Sequence, residues 1–332
     1  MSLPYATHPR ICTTPTHTRA ASPPPAGCLY GPRGLLFDGQ GHFLIADQNV
    51  NLNIPGAIYE YESTTGAFIK ALVSYTAIHA PPAPRGIILY PRKGGGTTLF
   101  VASPAGVTTD PTVQGSLQAF DATGTFMPLT PPTTLMSSFH PRGVVIGPDG
   151  ALYVSNDPGT SVGNGGQILR YDPETLNFID IFVDNNVCNC DFNRPEGLVF
   201  GPDGNLYVTS FRANASDTDK ILIFAGPKNL SPGTLILPGG IELDQVGQDR
   251  AYAQALLFGP GPVSDHVYLF VPITTPTGSN SGEVRRYDVT NFNSISYDIL
   301  VPASSKQNSP LGSSWYLTFG YTDPVTLEYS PP

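Results

Sequence analysis

One pattern limits what this chain can fold into: a Pro-x-Gly corner, a short apolar run, a Gly-Pro-Asp-Gly reversal and a second apolar run. It stands at Pro141-Arg142-Gly143-Val144-Val145-Ile146-Gly147-Pro148-Asp149-Gly150-Ala151-Leu152-Tyr153-Val154. It recurs at Pro195-Glu196-Gly197-Leu198-Val199-Phe200-Gly201-Pro202-Asp203-Gly204-Asn205-Leu206-Tyr207-Val208. Apolar runs this short, separated by a turn, predict antiparallel strands rather than helices. The turn has its own chemistry: Pro148 presets φ, Asp149 tolerates turn geometry, and Gly150 takes the positive φ of a tight reversal. Looser copies open at Pro32, Pro84, Ala253 and Pro310, so the starts 32, 84, 141, 195, 253 and 310 lie 52, 57, 54, 58 and 57 residues apart. A near-constant period of this size marks a repeat architecture. Six starts predict six blades.

Length alone would allow two domains in 332 residues, but a ring of repeats makes one. The 35 Gly and 35 Pro fall between the apolar runs as turn punctuation. A net charge of -9 with no basic run disfavours a nucleic-acid partner. No apolar stretch reaches the ~20 residues that span a bilayer, and the first residues do not open a signal peptide. Cys12, Cys28, Cys188 and Cys190 suit disulfides better than a metal site, with the pairing left open by the sequence. Together with the glycosylation sequons at Asn214 and Asn229, they favour a secreted or vesicular protein over a cytoplasmic one.

Residues 1–31 are rich in Pro and Thr and read as an arm; 32–332 read as a single propeller domain. In the first unit, Leu35-Leu36-Phe37, Phe43-Leu44-Ile45-Ala46, Ala57-Ile58-Tyr59-Glu60-Tyr61 and Phe68-Ile69-Lys70-Ala71-Leu72 give four strands, the propeller number. The last unit offers only Trp315-Tyr316-Leu317-Thr318-Phe319 and Val325-Thr326-Leu327-Glu328-Tyr329. The expectation is therefore an all-β, six-bladed propeller with four antiparallel strands per blade, whose last blade is completed by the N-terminal arm.

In such a ring the loop entering each first strand and the loop leaving each second strand meet at one mouth of the central channel. The entering corners contribute Arg33, Arg85, Arg142, Glu196, Gln254 and Leu311. The leaving loops contribute Asp47, Ser103, Asn156, Asp157, Phe211, Arg212, Asn214, Thr274 and Thr275.

The repeat, Gly-Pro-Asp-Gly included, resembles the NHL and SMP-30/gluconolactonase class of six-bladed propellers over nearly all of the chain after residue 31. In the calcium-dependent lactonases of that class, a Glu and Asn residues at these corners, with an Asp from a leaving loop, hold the ion. The resemblance maps Glu196 onto that Glu, and Asp47 or Asp157 onto the Asp. The other corners depart from it: Arg33, Arg85 and Arg142 would repel a divalent cation. No metal or cofactor is expected. More narrowly, the chain is similar in general character to the hetero-Diels-Alderases of fungal tropolone-sesquiterpenoid biosynthesis.

Two readings of the arginines stand side by side. As a catalytic set, Arg33, Arg85 and Arg142 polarise a carbonyl or phenolate of an apolar, oxygenated small molecule, with Glu196 as a candidate base. Asp47, Asn156, Phe211, Arg212, Gln254 and Trp315 then form the rest of the substrate site. As structural groups, the arginines pair with Asp47, Asp157 or Glu196 and brace the blades. No Gly-x-Ser-x-Gly nucleophile or phosphate loop is present. The expected function is a metal-independent cyclisation or cycloaddition in the propeller channel. The alternatives are a non-catalytic binding propeller and a calcium-dependent lactonase.

Overall fold

The structure is a computed structural model; it describes residues 10–11, 25–104, 115–130, 132, 139–158, 165–274, 281–303 and 311–330. Strands β1 (Arg10–Ile11) and β2 (Cys28–Leu29) form a small parallel ribbon. Blade one is β3 (Pro32–Phe37), β4 (His42–Asp47), β5 (Ala57–Glu62) and β6 (Phe68–Val73). Blade two is β7 (Ile87–Pro91), β8 (Thr97–Ser103), β9 (Ser116–Asp121) and β10 (Phe126–Met127). Blade three is β11 (Pro141–Ile146), β12 (Leu152–Asn156), β13 (Gln167–Tyr171) and β14 (Phe178–Asp184), followed by the short helix α1 (Asn185–Cys188). Blade four is β15 (Arg194–Phe200), β16 (Leu206–Phe211), β17 (Lys220–Phe224) and β18 (Ile241–Glu242). Blade five is β19 (Leu257–Gly259), β20 (Tyr268–Ile273), β21 (Glu283–Asp288) and β22 (Ser296–Val301). Each is an antiparallel meander with its strands in chain order.

The described residues thus form five four-stranded blades, and the expectation of six is overturned. Among the described residues the N-terminal arm adds no strand to a blade either, since β1 pairs only with β2. Beyond blade five the described residues 311–330 are too interrupted for a sheet: they hold Gly312, Gly320 and Pro324 and make one isolated bridge, Thr322 to Tyr329. This segment closes the ring without strands. Its Phe319 packs edge-on against Phe270 of blade five at 5.0 Å, and its Trp315 lies under Arg33 of blade one. It then crosses the channel, where Leu89 and Ile146 donate backbone hydrogen bonds to the carbonyls of Pro324 and Val325, and Leu327 meets the cores of several blades.

Between blades the repeat packs aromatic against aromatic. Tyr153 meets Phe200 of the next blade at 4.9 Å, and Tyr207 meets Phe258 at 5.0 Å, both edge to face. Each tyrosine hydroxyl donates to the aspartate of its own turn, Asp149 or Asp203, at 3.0 Å. The turn glycines Gly150 and Gly204 have the positive φ the motif demands, 83° and 75°.

The corners are the other repeated joint. In blades one, three and four the register slips within the Pro-x-Gly corner, between Pro32 and Leu35, Pro141 and Val144, and Pro195 and Leu198. A bulge of this kind re-aims the extra residue out of the ladder. At Gly34 the backbone N–H donates to the Arg85 carbonyl of the next blade at 2.9 Å, and an added Cβ would stand 2.2 Å from that oxygen. Among the described residues no helix is long and apolar enough to cross a membrane. Cys188 and Cys190 are disulfide-bonded to each other, while Cys12, Thr275 and Pro310 lie outside the described residues. The sequon residues Asn214 and Asn229 are both exposed.

Gly34→Ala is therefore expected to destabilise the ring by about 1–3 kcal/mol, the usual cost of forcing an extra carbon into a packed contact. Urea denaturation checks this, and an unchanged midpoint would show that the blade-to-blade contact at this corner is not tight.

Candidate functional site

The corners, bulged in blades one, three and four, bring their middle residues together at one mouth of the ring. Arg33, Arg85, Arg142, Glu196 and Gln254 come there from blades one to five, and Tyr316 arrives from the closing segment. Glu196 is almost completely buried. One of its oxygens accepts from Nη1 of Arg85, and the other from Nη1 of Arg142 at 2.5 Å. Arg142 also reaches Asp157 through Nη2 at 2.8 Å. The three charged corners of blades two, three and four are thus bridged by one carboxylate. Burial alone would lower the Arg85 pKa, but the Glu196 charge outweighs it and holds the group above its usual value.

Arg33 differs. Its guanidinium carbon lies 4.6 Å from the Trp315 ring centroid, and Nη1 donates to the Pro32 carbonyl at 3.1 Å. It makes no ion pair among the described residues. Burial, with the like charge of Arg85, holds its pKa below the usual arginine value, while Tyr316, Asp47 and Glu196 act the other way. Asp47, the nearest candidate counter-ion by sequence, directs both carboxylate oxygens at the backbone N–H of Tyr30, at 2.9 and 3.2 Å. Burial pushes the Asp47 carboxyl up to about 6.

Tyr316 is the functional candidate that sequence reasoning missed. It lines the channel and feels the charges of Arg85, Glu196, Arg33 and Arg142. Burial pushes its hydroxyl up to about 12, with the arginines pulling in the opposite direction, so it stays a neutral donor at physiological pH. The sequence signal was its place just after the sixth corner, obscured because Trp315-Tyr316-Leu317 reads as strand.

The remaining expected residues divide. Gln254 and Trp315 stand at the mouth. Asn156 is turned into loop structure: Oδ1 accepts from the His140 N–H at 2.7 Å, and Nδ2 donates to Gln167 at 3.2 Å. Phe211 packs edge-on against Tyr252, and Arg250 lies over both rings, at 4.9 and 4.3 Å. Arg212 points away from the corner ring, donating to the Gln248 carbonyl at 3.3 Å.

Below the corners the channel narrows to a cavity of about 50 Å³, walled by Leu35, Ile87, Val144, Leu198 and Leu257 from the first strands and by Leu317 and Leu327 of the closing segment. A space this small takes a few water molecules or one substituent of a ligand. The channel is therefore too small for the substrate body that the sequence reading placed in it. A larger cleft of about 480 Å³ opens elsewhere, beside Glu242, Asp244, Asp249 and Glu283; its arginine, Arg285, already donates to Glu283 and to the Leu243 carbonyl.

The calcium set implied by the sequence resemblance does not fit this mouth. Both oxygens of Glu196 are engaged by guanidinium groups, and a cation bound there would displace two ion pairs and face three like charges. Among the described residues no three His, Cys, Asp or Glu side chains gather as a metal site.

No known family model matches the chain, and no curated protein matches it. Solved structures do. A gluconolactonase from Xanthomonas campestris, described as important in glucose secondary metabolic pathways, superposes with a TM-score of 0.50 at 14% identity, covering 83% of this chain and 78% of its own. A glucose dehydrogenase superposes with a TM-score of 0.50 at 12% identity, covering 82% and 87%. Regucalcin from Agrobacterium tumefaciens, a calcium-binding protein, gives 0.47 at 15% identity, covering 80% and 74%. At these identities the likeness speaks for the fold: the chain is a propeller of the gluconolactonase-like shape.

The geometry makes two outcomes measurable. Glu196→Gln leaves two buried guanidinium groups facing a neutral amide and is expected to cost about 3–5 kcal/mol of stability, the range for breaking a buried ion pair; chemical denaturation measures it, and a loss below about 1 kcal/mol would contradict the shared bridge. Asp47 binds its proton more tightly folded, near pH 6, than unfolded, near ~3.9. Its contribution to stability therefore falls as pH rises from about 4 to 6 and stays lost above that. Denaturation of wild type and Asp47→Asn across this window should diverge with that sign; parallel curves would show that the carboxyl titrates normally.

Proposed function

We propose that the chain is an enzyme acting on a small, oxygenated, largely apolar molecule bound across the arginine-bearing mouth. The observation that carries this reading is the contrast among the three guanidinium groups. Arg85 and Arg142 are locked onto Glu196, while Arg33 faces the mouth without a carboxylate, laid on Trp315 beside the neutral hydroxyl of Tyr316. Arg33 and Tyr316 form a preorganised donor pair for an oxygen that gains negative charge. The locked pair, matched in charge by Glu196 and Asp157, holds the mouth rigid behind them.

Such a set serves reactions in which charge builds on a carbonyl or phenol-derived oxygen and no protein nucleophile is needed. Ring closure and cycloaddition of the hetero-Diels-Alder type fit this description. The carbonyl oxygen of an enone or quinone methide would accept from Arg33 and Tyr316, which draws electron density from the conjugated system as the new C–O and C–C bonds form. The mouth holds the two partners in contact and excludes part of the solvent. Glu196 takes no part in proton transfer here, since both its oxygens already accept from arginine.

Lactone opening is the second reading, favoured by the fold shared with the Xanthomonas gluconolactonase. The same donors would stabilise the oxyanion of a tetrahedral intermediate, with no ion at Glu196.

The two are separated by assay. Incubated with a quinone methide precursor and an electron-rich alkene, wild type should shift the rate and stereoisomer ratio of the adduct away from background. Arg33→Met should lower kcat/KM roughly 10- to 100-fold, the scale of losing one charge-stabilising donor, while its apolar stem still packs on Trp315 and the protein stays folded by circular dichroism. A product ratio equal to background, with hydrolysis of a lactone that chelation leaves unchanged and Arg33→Met lowers, would overturn the first reading in favour of the second.

A further inference from the structure

The corner ring concentrates an anomaly. Buried polar atoms nearly always have hydrogen-bond partners, and each exception calls for a reason. Of the five corner residues, four carry a buried side-chain atom without a protein partner: Arg33 Nε, Arg85 Nε, Arg142 Nε and Gln254 Oε1. Only Glu196, bridged on both oxygens, does not. Three of the four are donors and one is an acceptor.

Gln254 is the informative member. It is nineteen-twentieths buried and lines the small cavity beneath the mouth together with Tyr316 and Leu257. Its backbone lies against the Gly197 corner beside Glu196, and its carbonyl oxygen has no donor among the described residues. The Arg33 edge and Tyr316 call for acceptor oxygens. The cavity, at about 50 Å³, admits a hydroxyl-sized group and not a ring.

We infer that the ligand of this site carries a hydroxyl group in addition to its carbonyl or phenolic oxygen, and that Gln254 selects for it by accepting its hydrogen bond. The substrate class narrows to hydroxy-ketones, hydroxy-enones and their cyclic relatives, bound with the hydroxyl lowered into the cavity and the apolar body on the mouth beside Trp315. A site built to hydrogen-bond a hydroxyl rejects the analogue lacking it far more strongly than an apolar pocket rejects an added methylene, because the buried partner is left unpaired. This inference rests on the reading of the mouth as a small-molecule site, but it can fail separately.

The test compares two near-isosteric probes, 2-hydroxy-1-phenylethanone and 1-phenylpropan-1-one, which differ by a hydroxyl against a methyl group. Their affinities are measured by ligand-observed NMR titration on wild type, Gln254→Leu and, as the conservative control, Gln254→Glu. Wild type should prefer the hydroxy-ketone by roughly tenfold or more, the effect of one satisfied buried acceptor. Gln254→Leu should bring the ratio to within about twofold by weakening the hydroxy-ketone alone, and Gln254→Glu, which still accepts, should keep the preference. Equal affinity of the two probes for wild type, or a preference unchanged in Gln254→Leu, overturns the inference and leaves the site reading intact. Absence of binding by either probe to folded wild type overturns both.

Discussion

The mouth of this ring depends on one buried carboxylate held by two guanidinium groups. Glu196 belongs to blade four, Arg142 to blade three and Arg85 to blade two, so the bridge ties three blades at the point where their first strands begin. Burying one charge there would be strongly unfavourable, and burying it between two opposite charges with directed hydrogen bonds offsets the desolvation. Because both carboxylate oxygens are occupied, the corner cannot act as the ion ligand or base that a lone buried glutamate might become. The same network that braces the ring occupies Arg85 and Arg142, and under the proposed function only Arg33, Tyr316 and Gln254 are left to meet a ligand.

The ring is held at two levels. Around its body, the tyrosine of one blade meets the phenylalanine of the next, and each tyrosine is anchored to the aspartate of its own turn. At the mouth, the corner glycines lie against the carbonyls of the next corner, a distance only a residue without a side chain allows. The closing segment substitutes for a blade: Phe319 and Trp315 bind it to its two neighbours, and Leu327 fills the channel floor. Among the described residues, Leu327 thus contacts the cores of several blades from the channel.

Much of this was legible in the sequence. The Gly-Pro-Asp-Gly turns fix their strands through local chemistry, and the Pro-x-Gly corners marked the residues that meet at the mouth although up to 111 positions separate Glu196 from Arg85. The number of blades was not legible. Residues 311–330 repeat the corner and an apolar run, but a run becomes a strand only where a partner strand exists, and the twenty residues at the end supply none. Tyr316 was hidden for the same reason, since its role depends on the irregular path that places it among the arginines. The division of labour between Arg33 and the other two also escaped the sequence, because spacing assigns positions and not partners.

The shared bridge is tested most directly by a double-mutant cycle on Arg85→Met and Arg142→Met, read by chemical denaturation. If one carboxylate serves both arginines, either single change leaves Glu196 paired, and the double change orphans it. The double variant should then lose at least about 1 kcal/mol more than the sum of the two single losses, within the usual range for residues in one network. Losses that add to within about 0.5 kcal/mol, as for independent sites, would contradict the account.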